Sequence, residues 1–438
     1  NYLDFASMAT GDQSFTGTTG DDVFIGAAGV DTVSTNIGTD VILTSAGDDT
    51  ITVDGSGTKT INGGAGTDSL VVNTGSGRNL TDYTITYDQS SQQITFTASD
   101  EVINVKDVEK FSFSGSSWAY LRSGDNYKAD GSTVSSPEVQ FGVDAFFSVQ
   151  NNTIKMFDTG SINNSSWVTD YGFNAGDSLT VLGSEVADEI RLNQSKIGSA
   201  TISAGNGDDL VIIFERGSQL DNIDAGAGDD IVRVGTDFAT DNLDGGDGTD
   251  TISFRWYGFD ASSGATFNLA THSTNFENII GSYYDDVLTG DNNANNITGD
   301  NAESQYGEGA DTISGLGGND ILSGNGGNDQ IDGGTGADTI TTGSGTDTVI
   351  LRTGDGGSTI ADADTITDFT DGTDVLGLDD GLQYTDLTIA QGVGDNSNDT
   401  IISSGSEYLA ILQGISSSTI NYLDFASMAT GDQSFTGT

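Results

Sequence analysis

A nine-residue period is the strongest constraint on how this chain can fold. Gly20, Gly29, Gly38 and Gly47 recur at that spacing, and so do Asp22, Asp31, Asp40 and Asp49. Two residues after each Asp stands an apolar side chain: Phe24, Val33, Ile42 or Ile51. A ten-residue step then puts Lys59 in the Asp slot, and GGAGTDSLV restores the pattern at Asp68. A second run, over residues 307–351, sets Asp311, Asp320, Asp329, Asp338 and Asp347 two residues ahead of Ile313, Leu322, Ile331, Ile340 and Val349. Upstream, Asp286 with Leu288 and Asn295 with Ile297 hold the same phase. Self-similarity at a fixed short period marks a repeat architecture in which each unit buries its apolar face against its neighbours. The tail around each apolar position suits a three-residue strand with one side chain inward. Glycine tolerates positive φ, so the segment before that tail can turn sharply and aim carbonyls at one point.

The turn residues point to a ligand. Acids number 66 against 13 bases, a net charge of −53; ten are Glu, so 66 − 10 leaves 56 Asp. A disordered acidic chain would be poor in apolar residues, yet here 34% are hydrophobic and 8% aromatic. Short carboxylates in Gly-rich turns suit hard cations that take oxygen ligands. The pattern G-G-x-G-x-D-x-U-x is the calcium-binding nonapeptide of RTX proteins, and the chain resembles that family of secreted proteins over about half its length. The resemblance implies a right-handed parallel β-roll with calcium in both rows of turns. It also implies type I secretion through a C-terminal signal outside these residues.

In such a roll two nonapeptides make one coil, and carboxylates 18 residues apart stack one strand spacing, about 4.8 Å, from each other. An ion between them can take both carboxylates plus turn carbonyls. The stacked pairs are Asp22 with Asp40, Asp31 with Asp49, Asp311 with Asp329, Asp320 with Asp338, and Asp329 with Asp347, which ends its row. The metal-ligating candidates, for multiple Ca2+ ions, are Asp22, Asp31, Asp40, Asp49, Asp68, Asp209, Asp230, Asp250, Asp286, Asp311, Asp320, Asp329, Asp338 and Asp347. Lys59 replaces the expected acid, so its turn should hold no ion. A third block steps by 21 and 20 residues through Asp209, Asp230 and Asp250, with Glu189 20 residues before Asp209. It reads as longer coils with a single calcium row. Val211, Val232 and Ile252 should face inward on one wall, and Ile202, Ile223 and Leu243 on the other.

The expected class is therefore all-β: calcium-loaded β-roll or β-solenoid blocks, interrupted by antiparallel hairpin inserts and closed by a β cap. Residues 9–74 form the first roll, 75–185 a β-rich insert, 186–256 the long-coil block, 257–283 a linker or hairpin, 284–352 the second RTX-like roll and 353–428 the cap. The alternation across residues 83–113 carries the insert assignment; the arrangement of residues 119–182 does not follow from the sequence. Residues 1–18 and 421–438 are identical, NYLDFASMATGDQSFTGT, and lie 421 − 1 = 420 residues apart. That reads as a window on a tandem array, with 1–8 ending a preceding unit's cap and 429–438 beginning the next unit.

Several function classes are excluded. Nucleic acid needs a basic stripe, which this charge denies. No run of 18 apolar residues offers a membrane-spanning helix, and no basic-then-apolar leader suggests a signal peptide. Without Cys there is no disulfide framework and no Cys-based zinc site. The single His272 rules out HExxH chemistry and reads as a surface or turn residue. No GxSxG elbow, P-loop or Rossmann fingerprint occurs, so no enzyme is expected. The reading is a calcium-dependent structural repeat unit of a large, bacterial, extracellular cell-surface fibre, adhesin or surface-layer protein. Its partners would be neighbouring copies of itself, with cell-surface polysaccharide as a candidate. The competing reading is the calcium-folding export module of a type I-secreted toxin or hydrolase. An ice-binding face would need a flat Thr or Asn ladder, which the long-coil block lacks.

Overall fold

The computed structural model is almost all-β, with 46% strand and 6% helix. It describes residues 11–73, 77–88, 90–127, 139–148, 152–157, 161–163, 178–193, 198–214, 220–235, 238, 241–254, 264–300 and 309–428. Both outer segments assigned to neighbouring units, 1–8 and 429–438, lie outside the described residues. The chain divides into two compact units, Asn1–Asp209 and Leu210–Thr438.

In the first unit, successive short strands alternate between two parallel walls. Ser14–Thr16, Thr32–Ser34, Thr50–Val53 and Ser69–Val72 build one, in the register Phe15↔Val33↔Ile51↔Leu70. Val23–Ile25, Asp40–Leu43 and Gly57–Asn62 build the other, in the register Phe24↔Ile42↔Ile61. The central residue of each strand faces inward and is buried, which contributes roughly 1.5–3 kcal/mol per large aliphatic side chain. The walls meet at the Phe15 and Phe24 rings, whose centroids are 5.4 Å apart.

The insert is not a separate module. Thr84–Asp88, Gln93–Ala98 and Glu101–Lys106 form an antiparallel meander, as the alternation predicts, but its last strand runs parallel beside Gly57–Asn62. Lys110–Phe113 likewise joins Ser69–Val72 in parallel. The insert thus prolongs both walls. One wall continues antiparallel through Ser116–Leu121, Ala145–Ser148 and Thr153–Met156, then returns to parallel pairing at Leu179–Leu182 and Ala200–Ser203. Aromatic rings fill this region: Phe146 packs on Phe96 and Phe111 at 5.6 and 4.9 Å.

In the second unit, Leu210–Phe214, Ile231–Arg233, Thr251–Ser253, Asn278–Ile280, Asn296–Thr298, Ile321–Ser323, Thr339–Thr341, Asp364–Ile366 and Glu407–Leu412 form one parallel wall. Thr266–Asn268, Val287–Thr289, Thr312–Ser314, Gln330–Asp332, Thr348–Leu351, Val375–Leu378 and Phe425–Ser427 form another. Asn222–Asp224 pairs with Asn242–Asp244. The inward residues read from the long-coil block, including Val232, Ile252, Ile223 and Leu243, are all buried. His272 closes the short helix Leu269–His272, where its Nδ1 accepts a hydrogen bond from Asn268 N. Near the end, Leu387–Gln391, Thr400–Ser404 and Glu407–Leu412 make a three-stranded antiparallel sheet. Among the described residues no helix is long and apolar enough to cross a membrane.

Candidate metal centre

All fourteen candidate acids are buried, none more than 3% exposed. Each stands two residues before an inward apolar side chain, so the strand fixes its position at the mouth of a turn. Acids one coil apart are stitched together. Asp22 N donates to Asp40 Oδ1 at 3.0 Å, Asp31 N to Asp49 Oδ1 at 2.7 Å and Asp49 N to Asp68 Oδ1 at 2.8 Å. The same bond joins Asp311 to Asp329, Asp320 to Asp338 and Asp329 to Asp347 at 2.7–2.9 Å. The five stacked pairs expected from the sequence are therefore all brought together. A second ladder runs the opposite way through the residue before each acid. Thr39 N donates to Asp21 Oδ1, Thr67 N to Asp48 Oδ1 and Thr346 N to Asn328 Oδ1.

The other carboxylate oxygen has a different environment. Oδ2 of Asp31, Asp49, Asp68, Asp250, Asp311, Asp320 and Asp347 is buried with no hydrogen-bond donor. Leaving a buried anionic oxygen unmatched is costly unless a cation meets it. A β-carbon on Gly315 would run into both Asp320 Oδ2 and the Gly333 carbonyl oxygen, so the two oxygens face one small space. The turn also depends on glycine further along: Gly336 has φ +147°, and a β-carbon there would fall on the Gly318 carbonyl. Among the described residues no three acidic or imidazole groups converge on one point. A cation here would therefore complete its shell with backbone carbonyls. That oxygen-only set of carboxylates and carbonyls fits calcium, which takes six to eight such ligands in flexible geometry.

Electrostatics agree with the need for a cation. Burial, reinforced by the charges of Asp286, Asp300 and Asp329, pushes the Asp311 carboxyl up to about 8. Burial with Asp338 and Asp291 nearby pushes Asp320 to about 7, and burial is the leading cause that lifts Asp68, Asp250 and Asp286 to about 6. The protein alone resists ionising these groups, and a divalent ion reverses that preference.

Lys59 sits in its expected slot but is not a blank. It is fully buried, and its Nζ reaches Asp40 Oδ2 at 3.1 Å, the Gly38 carbonyl at 2.8 Å and the Ser56 carbonyl at 3.1 Å.

The rows differ from the sequence reading in three places. Asp347 does not end its row: Asp347 N donates to Asp374 Oδ1, and Asp338 N donates to Asp364 Oδ1. The long-coil block carries stacked acids on its second side as well, since Asp221 N donates to Asp241 Oδ1 at 3.0 Å. Asp188, not Glu189, occupies the slot before Asp209, because the inward residue is Ile190 and the acid must precede it by two. Glu189 instead pairs with Arg191. Where an insert follows a row, Glu replaces Asp: Asp68 N donates to Glu109 Oε2 and Asp250 N to Glu277 Oε2. All of these stand two residues before a buried apolar side chain, a signal present in the sequence without any Gly turn.

Comparison with known proteins identifies the repeats. A profile of the RTX calcium-binding nonapeptide repeat matches four times, at residues 16–51, 34–70, 306–340 and 323–356. The chain carries RTX calcium-binding repeats. Repeats of this kind are calcium-binding structural repeats of secreted proteins. The RTX matches cover both nine-residue runs and leave the long-coil acids Asp209, Asp230 and Asp250 outside. Among solved structures, the AlgE6R3 subunit of the Azotobacter vinelandii mannuronan C5-epimerase matches at 24% identity and TM-score 0.17, over 33% of this chain and 78% of its own. The extracellular lipase LipA of Serratia marcescens matches at 13% identity and TM-score 0.17, over 96% of this chain and 40% of its own. No curated protein matches the chain.

Proposed function

We propose that this chain is a calcium-dependent structural repeat unit of a large secreted cell-surface protein, of the fibre, adhesin or surface-layer kind. Calcium ions lie in the turns of right-handed RTX rolls, residues 353–428 close the roll as a β cap, and the unit has no catalytic role. The partners are neighbouring copies of the same unit, with cell-surface polysaccharide as a candidate ligand. Type I secretion delivers the chain, which stays unfolded at low cytoplasmic calcium and folds outside, because metal binding is then folding free energy. The observation that carries the structural reading is the repeated turn with a buried carboxylate oxygen that no donor meets. The identical segments at 1–18 and 421–438 support a tandem array. The test is the full-length native polypeptide, mapped by peptide mass spectrometry. Recurrence of the 420-residue unit supports the array, whereas a single copy joined to a hydrolase or toxin domain would refute it and favour an export module.

A further inference from the structure

The slot acids are of two kinds, told apart by whether a donor reaches the second side-chain oxygen. The residue four positions earlier marks which in most turns, though Asp31, preceded there by Ala27 without positive φ, still has an unmatched Oδ2. Before Asp49, Asp68, Asp250, Asp320 and Asp347 the residue four positions earlier is Ser45, Gly64, Gly246, Leu316 or Gly343, with φ between 71° and 99°. In each of these turns no donor reaches Oδ2. Before Asp22, Asp286, Asn295 and Asp374 it is Thr18, Ser282, Asp291 or Thr370, none with positive φ. Here its N–H donates straight to the side-chain oxygen, at 2.5–2.8 Å. Asp188 is held the same way by Ser184 N. The hydroxyls of Thr18 and Ser282 add a second bond to their acids at 2.9 Å. Residue type alone does not decide the matter: Ser45 belongs to the first kind, and its hydroxyl donates away, to the Gly26 carbonyl.

We propose that calcium enters only the first kind of turn. In the turns of Asp22, Asp188, Asp286, Asn295 and Asp374 the backbone takes up one side-chain oxygen, although Asp22 Oδ1 stays buried without a donor, and Asp40 is matched by the Lys59 ammonium. The inference rests on the calcium reading of the RTX turns and sharpens it, removing Asp22, Asp40 and Asp286 from the ligand set. An N–H aimed at the oxygen puts positive charge where the ion would sit, and the ion cannot share that lone pair without breaking the bond. At Lys59 the replacement is complete: an ammonium has three protons, and one carboxylate and two carbonyls accept them. The closed turns lead into the strands Val23–Ile25, Glu189–Asn193, Val287–Thr289 and Val375–Leu378. Those positions take their turn geometry without metal.

The test counts bound calcium per chain by elemental analysis, on the full-length protein dialysed at saturating calcium. Asn substitutions keep the shape and the acceptor. Asp22→Asn and Asp286→Asn should keep the wild-type count, while Asp320→Asn and Asp347→Asn should each lose at least one ion. Equal losses in both sets, or none in the second, would overturn the two-class assignment. A wild-type chain that binds no calcium overturns the underlying reading as well, and is a distinct result. Calcium anomalous maps from wild-type crystals check the same point without any variant. Peaks belong at the Asp320 and Asp347 turns, and a peak at the Asp22 or Asp286 turn would sink the proposal.

Discussion

Stripped of calcium, the chain should lose stability as pH rises from about 4 to about 8, the reverse of ordinary acid denaturation. Asp311 shows why. Its carboxyl titrates near 8 when folded, against 3.8 for the exposed group. Between those values the folded chain holds a proton that the unfolded chain has released, so stability falls with rising pH. The gap is about four units, and at about 1.4 kcal/mol per unit one residue accounts for up to roughly 5 kcal/mol. Asp320 and Asp286 act in the same direction over narrower windows, ending near 7 and 6. Stacked carboxylates do not titrate independently, so these effects do not simply sum. Even the single-residue figure matches the lower end of a whole domain's stability, about 5–15 kcal/mol. The assay is the urea midpoint by far-ultraviolet circular dichroism, on resin-stripped protein at about pH 4.5, 6 and 8 and fixed ionic strength. The midpoint should fall along that series, reaching zero urea where the stripped chain is already unfolded. With about 1 mM calcium present the slope should change sign, because the metal needs the deprotonated form. A calcium-free midpoint that is flat or rises with pH refutes the reasoning.

Other outcomes follow from the same geometry. At neutral pH a chelator should leave the chain largely unfolded, and calcium at about 10⁻⁴–10⁻³ M should restore the β spectrum; an unchanged spectrum in chelator would count against it. Gly336→Ala, with φ +147° and a β-carbon falling on a carbonyl, should cost about 3 kcal/mol or more, while Gly372→Ala, with φ +75° and open space, should cost about 1. Equal shifts in urea midpoint would refute the close-approach argument. Asp329→Ala and Asp347→Ala should lose similar amounts of calcium and thermal stability, and Asp374→Ala less, since Asp374 Oδ2 is already held by Thr370 N. Arg352→Met strips the 2.6 Å partner from Asp332, which is 1% exposed. It should cost about 3–5 kcal/mol in calcium-loaded protein, as breaking a buried pair does, and a midpoint unchanged by the substitution would show the pair to be dispensable.

The columns of inward side chains were legible because each strand contributes one apolar residue at a fixed offset from its acid. Ile313, Ile331 and Val349 stack as that offset dictates. The meander across residues 83–113 was legible from alternation, yet its attachment was not. The partner of Lys110–Phe113 is Ser69–Val72, 110 − 69 = 41 residues back, and no local pattern encodes a pairing across an insert. Glu109, Glu277, Asp364 and Asp374 lack the full G-G-x-G-x run before them, so the nonapeptide pattern does not mark them. The acid needs only a strand behind it and an amide one coil earlier to receive. Lys59 was visible as a missing acid. That its stem would fold back and present the ammonium to Asp40 depends on the chain around it, not on the slot.

The coil geometry has a mechanical consequence. Neighbouring coils are offset by 18 residues and rise by one strand spacing, about 4.8 Å. The same 18 residues pulled straight span about 60 Å. Each coil is held mainly by the coils next to it, so tension along the roll peels coils from an end instead of rupturing the whole. Every coil released hands the thread roughly twelve times its folded height, a store of slack that lets a loaded chain lengthen in steps before any covalent bond is strained.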